Sequence, residues 1–156
     1  MKENKRLISL FEKLYNGSPW IDINLMSVLE HITADKASVR IDPNCNTIWE
    51  ITNHLICWRL NVLKRVQGNI METPDNNYFE SITDTSPQAW ESTLAKFEDS
   101  QKLWLEFLKG IKFDRLEEHY PKNKMTYYEH IHGILQHDAY HLGQIVLMMK
   151  MIDLDN

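Results

Sequence analysis

His137 and His141, in the string His137-Asp138-Ala139-Tyr140-His141, are the residues of this chain best spaced for metal chemistry. Four residues of a helix turn through slightly more than one revolution, so the two imidazoles lie about 40° apart and can reach a single ion. Far upstream, His54 stands at the edge of an apolar stripe, close in projection to Trp58 and Asn61. Packing its helix against the later one aims a third imidazole at the same point. Three neutral imidazoles leave a divalent ion with open positions for water or substrate, as in catalytic rather than structural zinc sites. The pair alone is also compatible with packed or surface histidines. His54 adds weight, because an imidazole on an interior stripe needs either a metal or a hydrogen-bond partner.

Asp138 falls among Ile134, Ile145 and Ile152 in helical projection, so it too needs a partner. Two readings stand side by side: it accepts the far N–H of a ligating imidazole such as His54, or it is a structural carboxylate bonded to a tryptophan N–H or another helix. Gln144, one turn after His141, either orients a substrate or is a surface amide. Cys57 lies off the stripe and reads as a packed thiol. His130 and His132 have no third partner and read, with His31 and His119, as ordinary structural, capping or surface residues.

Other motif classes fail on spacing. A metalloprotease H-E-x-x-H site needs Glu where Asp138 stands, and its extended form needs Gly and His where Gln144 and Leu147 stand. A di-iron carboxylate bundle needs two Glu-x-x-His pairs, and only Glu129 with His132 has that spacing. Neither a phosphate-binding glycine loop nor a nucleophile-elbow serine is present.

Helices must position these groups. Leu7, Leu10, Phe11 and Leu14 recur at helical spacing, break at Gly17-Ser18-Pro19, and resume with Trp20, Ile21, Leu25, Val28, Leu29 and Ile32, which predicts a main helix preceded by a shorter one. Thr47 and Glu50 form a capping-box pair, predicting a helix from about Thr47 to Gly68 along Ile48, Ile51, Leu55, Trp58, Val62 and Val66. Ser86-Pro87 opens a third helix that carries Trp90, Leu94, Phe97, Trp104 and Leu108 to Gly110. Thr126 with Glu129 opens a fourth, running to the C-terminus. With no strand alternation, the pattern is that of an all-α bundle. The stretch from Ile70 to Thr85 is long for a bundle connection and is expected to hold a crossover or a flap. Gly133 and Gly143 each weaken the last helix by roughly 1 kcal/mol relative to Ala, so a close neighbour, either another helix or a dimer partner, is expected beside them.

The chain has 156 residues, 43% of them hydrophobic, with five Gly and five Pro. That suits one domain spanning residues 1–156 with a real core. Lys plus Arg number 17 against 22 Asp plus Glu, a net charge of −5, which argues against a nucleic-acid partner. No apolar run is long enough to span a bilayer. Two cysteines, Cys45 and Cys57, and no charged-then-apolar leader after Met1 lead to the expectation of reduced thiols in a cytoplasmic protein.

The segments Trp49-Glu50-Ile51-Thr52-Asn53-His54 and His137-Asp138-Ala139-Tyr140-His141-Leu142-Gly143-Gln144-Ile145, with Gly17-Ser18-Pro19-Trp20 upstream, resemble the DinB superfamily and its YfiT-like metal-dependent hydrolases. The resemblance implies a four-helix bundle of up-down-down-up order. It also implies one divalent metal ion per chain, nickel or zinc, held by His54, His137 and His141, and a homodimer. Well-understood members use low-molecular-weight thiols such as bacillithiol, mycothiol or glutathione as cosubstrates in transfer or isomerisation, and others are assigned as hydrolases. The expectation is therefore a mononuclear metal enzyme acting on a small molecule, with thiol-dependent transfer preferred over hydrolysis. The alternative is a non-enzymatic metal-binding or ligand-sensing dimeric bundle.

Overall fold

The structure, a computed structural model, describes residues 2–154. Seven helices succeed one another among these residues: α1 (Glu3–Asn16), α2 (Leu25–Leu29), α3 (Ala34–Ser38), α4 (Ile48–Val66), α5 (Pro87–Gly110), α6 (Phe113–Glu117) and α7 (Tyr127–Leu154). The four long ones, α1, α4, α5 and α7, form the bundle. Among the described residues the only extended pairing is an isolated bridge between His119 and Thr126.

Side-chain pairs along the helices give the chain path. Phe11 stacks on Trp104 and Tyr15 meets Phe97, so α1 and α5 run antiparallel. Trp49 bonds Thr93 and Arg59 bonds Gln101, so α4 and α5 run parallel. His54 faces His141 while the later residue Trp58 faces His137, so α4 and α7 run antiparallel. The order is up-down-down-up, as the resemblance implied. Two consecutive parallel helices require the chain to travel back along the whole of α4, about 28 Å at 1.5 Å per residue, before α5 can begin. That return is the segment 67–86, which the sequence marks as an unusually long connection.

Three of the predicted helix starts coincide with the observed ones and have the expected cause. Thr47 Oγ1 accepts from the Glu50 amide while the Glu50 carboxylate accepts from the Thr47 amide; Ser86 caps α5; and Thr126 and Glu129 reciprocate at the start of α7. Gly68, at φ +99°, comes after the end of α4 in a left-handed conformation that glycine adopts without strain. At its far end α7 is described to Leu154; Asp155 and Asn156 lie outside the described residues.

The expected long helix over residues 20–32 is not formed. The main first helix is α1 itself. After it come two short helices, each with its own cap: Asn24 boxed with Ser27, and Thr33 accepting from Lys36. Trp20 is 96% exposed, so it belongs to no buried stripe. The helical spacing of Trp20 and Ile21 with Leu25 is coincidental, and Asp22 at φ +60° interrupts it. Among the described residues no close approach is found at Gly133 or Gly143, since a Cβ at either position meets nothing within 4 Å.

Two apolar clusters fill the bundle. One gathers Leu14, Leu29, Ile51, Leu55, Phe97, Leu142 and Ile145; the other gathers Leu7, Phe11, Val62, Trp104, Leu108, Ile131 and Ile134. Between them lies a polar layer. Arg59 of α4 donates to Asp138 of α7 at 2.7 Å, with both side chains essentially inaccessible. The guanidinium also donates to Gln101 of α5 and sits 5.1 Å from the Phe97 ring centroid. Trp104 Nε1 donates to the Arg59 carbonyl at 3.0 Å. Burial pushes the Asp138 carboxyl up to about 6, and the adjacent Arg59 guanidinium pulls against that shift.

Removing one partner strands the other charge in the core. Asp138→Ala is expected to lower the unfolding free energy by about 3–5 kcal/mol, and the double replacement Arg59→Leu with Asp138→Leu to recover most of that loss. Denaturant melts of the three proteins measure it.

Candidate metal centre

The centre lies where α4 and α7 face each other beside the returning segment. A ring nitrogen from each of His54, His137 and His141 lies within 4.8 Å of the other two. His54 Nε2 is 3.0 Å from His137 Nε2. The rings of His54 and His141 are 4.7 Å apart, and those of His137 and His141 are 4.5 Å apart. Nitrogens bound tetrahedrally to one zinc-sized ion at about 2.0–2.1 Å would be separated by about 3.4 Å. Movements small enough for side-chain rotation connect the two arrangements.

Hydrogen bonds at the far side of two rings fix their tautomers. His54 Nδ1 lies 2.7 Å from the carbonyl oxygen of Asn77, which only accepts, so Nδ1 carries the proton and Nε2 offers its lone pair inward. His141 Nδ1 lies 2.6 Å from Gln144 Oε1, whose amide in turn donates from Nε2 to the Tyr140 hydroxyl at 3.0 Å; His141 Nε2 is thereby freed as well. With both of those nitrogens bare, His137 supplies the proton between His54 and itself. His137 Nδ1 is buried with no hydrogen-bond partner among the described residues. An all-imidazole donor set of neutral rings, two of them already oriented from behind, fits zinc, nickel or another imidazole-preferring divalent ion.

Burial holds the rings neutral. Desolvation drives His54 from 6.5 down to about 4 and His137 down to about 3, each with a further push from neighbouring histidines, and it lowers His141 as well.

The returning segment supplies a part of the site that motif spacing does not reveal. It runs back along α4, with the Glu72 carbonyl accepting from Asn61, Asn77 Oδ1 accepting from Trp58 Nε1 at 3.0 Å, and Phe79 stacked on the His54 ring at a centroid distance of 4.0 Å and 6° between planes. Asn77 and Tyr78 hold φ of +51° and +63°, a conformation unusual for a bulky residue and sustained by surrounding contacts. One of these is between the Tyr78 hydroxyl and Asn61, at 2.6 Å. The adjacent asparagines Asn76-Asn77 are a local signal for such a corner, but nothing in one sequence says which helix it reaches.

The structure decides several expected roles. For Asp138 the second reading holds: it is a structural carboxylate bonded to another helix, through Arg59 of α4, and not the partner of a ligating imidazole, because it points into the core on the side of α7 that meets α4. Gln144 is neither a free surface amide nor solely a substrate contact: it holds His141. Cys57 is half-buried, and burial pushes its thiol up, consistent with a packed group. His130 is buried against Tyr120, not solvated, and His132 is half-buried beside Tyr128. His31 and His119 are exposed, as expected.

The three imidazoles open into a cavity of about 650 Å³ walled by α7, by Ile51 of α4, by Asn77 and Phe79, and by the loop between α3 and α4. A helical bundle with an up-down-down-up path carries three convergent neutral imidazoles that could hold one metal ion, facing a solvent-connected cavity. The sequence profile of the DinB superfamily matches residues 24–145, which include all three histidines, and the chain belongs to that family. The fold is that of YfiT from Bacillus subtilis, described as a probable metal-dependent hydrolase with an unusual four-helix bundle topology. The match has a TM-score of 0.75 and 13% identity, covering 98% of this chain and 90% of that one. No curated protein sequence matches the chain at a significant level. No helix among the described residues is long and apolar enough to cross a membrane.

Because the folded state depresses these imidazole pKa values, it favours the neutral forms. The stability they confer is complete above the unfolded value near 6.5 and is lost as pH falls from there toward 4 and 3. The melting temperature of metal-free protein is therefore expected to decline across that window, and less steeply in His137→Asn. A separate measurement addresses the stacked ring: Phe79→Ala is expected to weaken zinc binding, monitored by chelator competition, by about 10–100-fold.

Proposed function

We propose that this protein is a mononuclear metal-dependent hydrolase of a small molecule, with His54, His137 and His141 holding one divalent ion, zinc or nickel. The observation that carries this reading is the convergence of three neutral imidazoles, with no fourth protein ligand among the described residues. The name given to its structural relative, a probable metal-dependent hydrolase, supports the same reading. A divalent ion with open positions would lower the pKa of a coordinated water or thiol toward neutrality and polarise a substrate carbonyl.

The chain's own contribution is positional. Asn77 and Gln144 keep the Nδ1 protons of His54 and His141 pointed away from the ion, so that both Nε2 lone pairs are available without loss of a proton. Phe79 fixes the plane of the His54 ring and, with the rest of the returning segment, shields one side of the centre from water. Transfer to a low-molecular-weight thiol uses the same site with thiol in place of water. The homodimer implied by the family resemblance is carried within the same reading, and sedimentation equilibrium measures it.

Purified protein is expected to take up one zinc or nickel ion per chain and to hydrolyse members of an ester, amide and lactone panel. His137→Ala should lose both the ion and the activity. Acceleration only when thiol is added would move the assignment to thiol transfer. Stoichiometric metal that raises the melting temperature, with no turnover on any substrate, would instead favour a metal-stabilised binding or sensing bundle.

A further inference from the structure

We infer that the ligand of this cavity is a molecule with an uncharged, largely apolar body and a small metal-binding head, and that anionic substrates and carboxylate-bearing thiols are disfavoured. The inference rests on the proposed metal centre and adds the class of molecule that the cavity takes.

The cavity floor is one face of α7. From His137 and His141 it continues through Gln144, Leu147 and Met148 to Met151, a shelf about 20 Å long at 1.5 Å per residue. Tyr140, Leu147 and Met151 on this face are 64%, 60% and 41% exposed, so a length of apolar surface beside the imidazoles is open to solvent. Ile41, Ile51 and Phe79 face it from other elements. The result is a cleft rather than a flat helix face, and its volume is that of a site for a small organic molecule.

The opposing loop is already built. Arg40 donates to the Cys45 carbonyl and pairs with Glu50 at 2.6 Å, and Asp42 accepts from the Asn44 amide at 2.8 Å. These bonds commit the Arg40 guanidinium to holding the loop. Lys36, on the helix before it, is paired with Asp153 at 2.6 Å. Among the described residues that line the cavity none is a lysine or arginine, and the one carboxylate is Asp42. Apart from a bound ion, the walls therefore offer apolar contact and hydrogen bonds but no counter-charge for an anion. An anionic group brought there would lose hydration without a compensating partner, whereas an apolar group gains by covering Leu147 and Met151.

Hydroxamates, which chelate an open metal site, separate head from body. Zinc-loaded protein is titrated calorimetrically with acetohydroxamate, with a phenylbutyl analogue and with a carboxybutyl analogue. The phenylbutyl compound is expected to bind at least about tenfold more tightly than acetohydroxamate, and the carboxybutyl compound no more tightly. Leu147→Asp, a change at an exposed position of the cavity wall, should erase the phenylbutyl gain measured relative to acetohydroxamate in the same variant. Carboxybutyl binding tightest, or a phenylbutyl gain that survives Leu147→Asp, would overturn the inference while leaving the metal centre intact. Failure of the protein to take up zinc, or of any hydroxamate to bind, would remove the proposed function and this inference with it.

Discussion

The ion pair between Arg59 and Asp138 fixes the register on which the rest of the molecule depends. It joins α4 to α7 at a buried point between two apolar clusters, where a shift of either helix by one residue would leave a charge unpaired in low dielectric. Apolar packing alone tolerates alternative registers far better than a single directional contact does. His54 lies five residues before Arg59, and His137 and His141 bracket Asp138, so the contact that sets the register also sets where the three imidazoles meet. Gln101 and the Trp104 indole bring α5 into the same layer, and the Phe97 and Phe11 rings beside the guanidinium complete its surroundings.

Chain topology then brings a nominal loop into the chemistry. Since α4 and α5 run parallel, the connection between them must retrace α4, and the available course lies along the helix that carries His54. A hairpin connection between antiparallel helices would have ended near Gly68 and left the back of the His54 ring to solvent. Here the return path places a backbone carbonyl on Nδ1 and an aromatic ring on the imidazole face. The left-handed corner at Asn77 and Tyr78 is what turns that carbonyl toward the ring. Its conformational cost is borne by the Trp58 and Asn61 contacts on either side.

The features legible in the sequence are those encoded locally or by helical period. The capping pairs Thr47 with Glu50 and Thr126 with Glu129 act over three residues, and the His137 and His141 pair acts over one turn, so each is legible without knowledge of the partner helix. His54 is legible because it lies beside a clean apolar stripe. The burial of Asp138 and its need for a partner are legible, but the choice between its two readings is not, since the partner sits on another helix and is an arginine, a residue that composition alone assigns to the surface. Asn77 and Phe79 are hidden for a different reason. Their role comes from the direction in which a long connection travels, which is a property of the whole bundle. The 20–32 segment misleads in the opposite sense, because its apolar spacing does not mean burial: Trp20 is solvated, and the turn at Asp22 with the Asn24 cap leaves only the short helix Leu25–Leu29 within the run.

The same burial that makes the imidazoles good ligands also explains why the supporting bonds matter. A neutral imidazole has two tautomers of similar intrinsic energy, and only one of them presents Nε2 as a lone pair. In water the ring would exchange between them, and a site of three such rings would present all three lone pairs together only a fraction of the time. Asn77 and Gln144 remove that uncertainty at two rings, because a carbonyl oxygen behind Nδ1 accepts a proton from it and repels its lone pair. The third ring, His137, is left free on its Nδ1 side and hydrogen-bonded to His54 through Nε2. A cation entering the cluster therefore has to displace one proton, from one nitrogen, by a tautomer change within a single residue. Two oriented ligands and one adjustable ligand reconcile preorganisation with entry of the ion, and each of the three arrangements arises from a specific neighbour on a specific helix or turn.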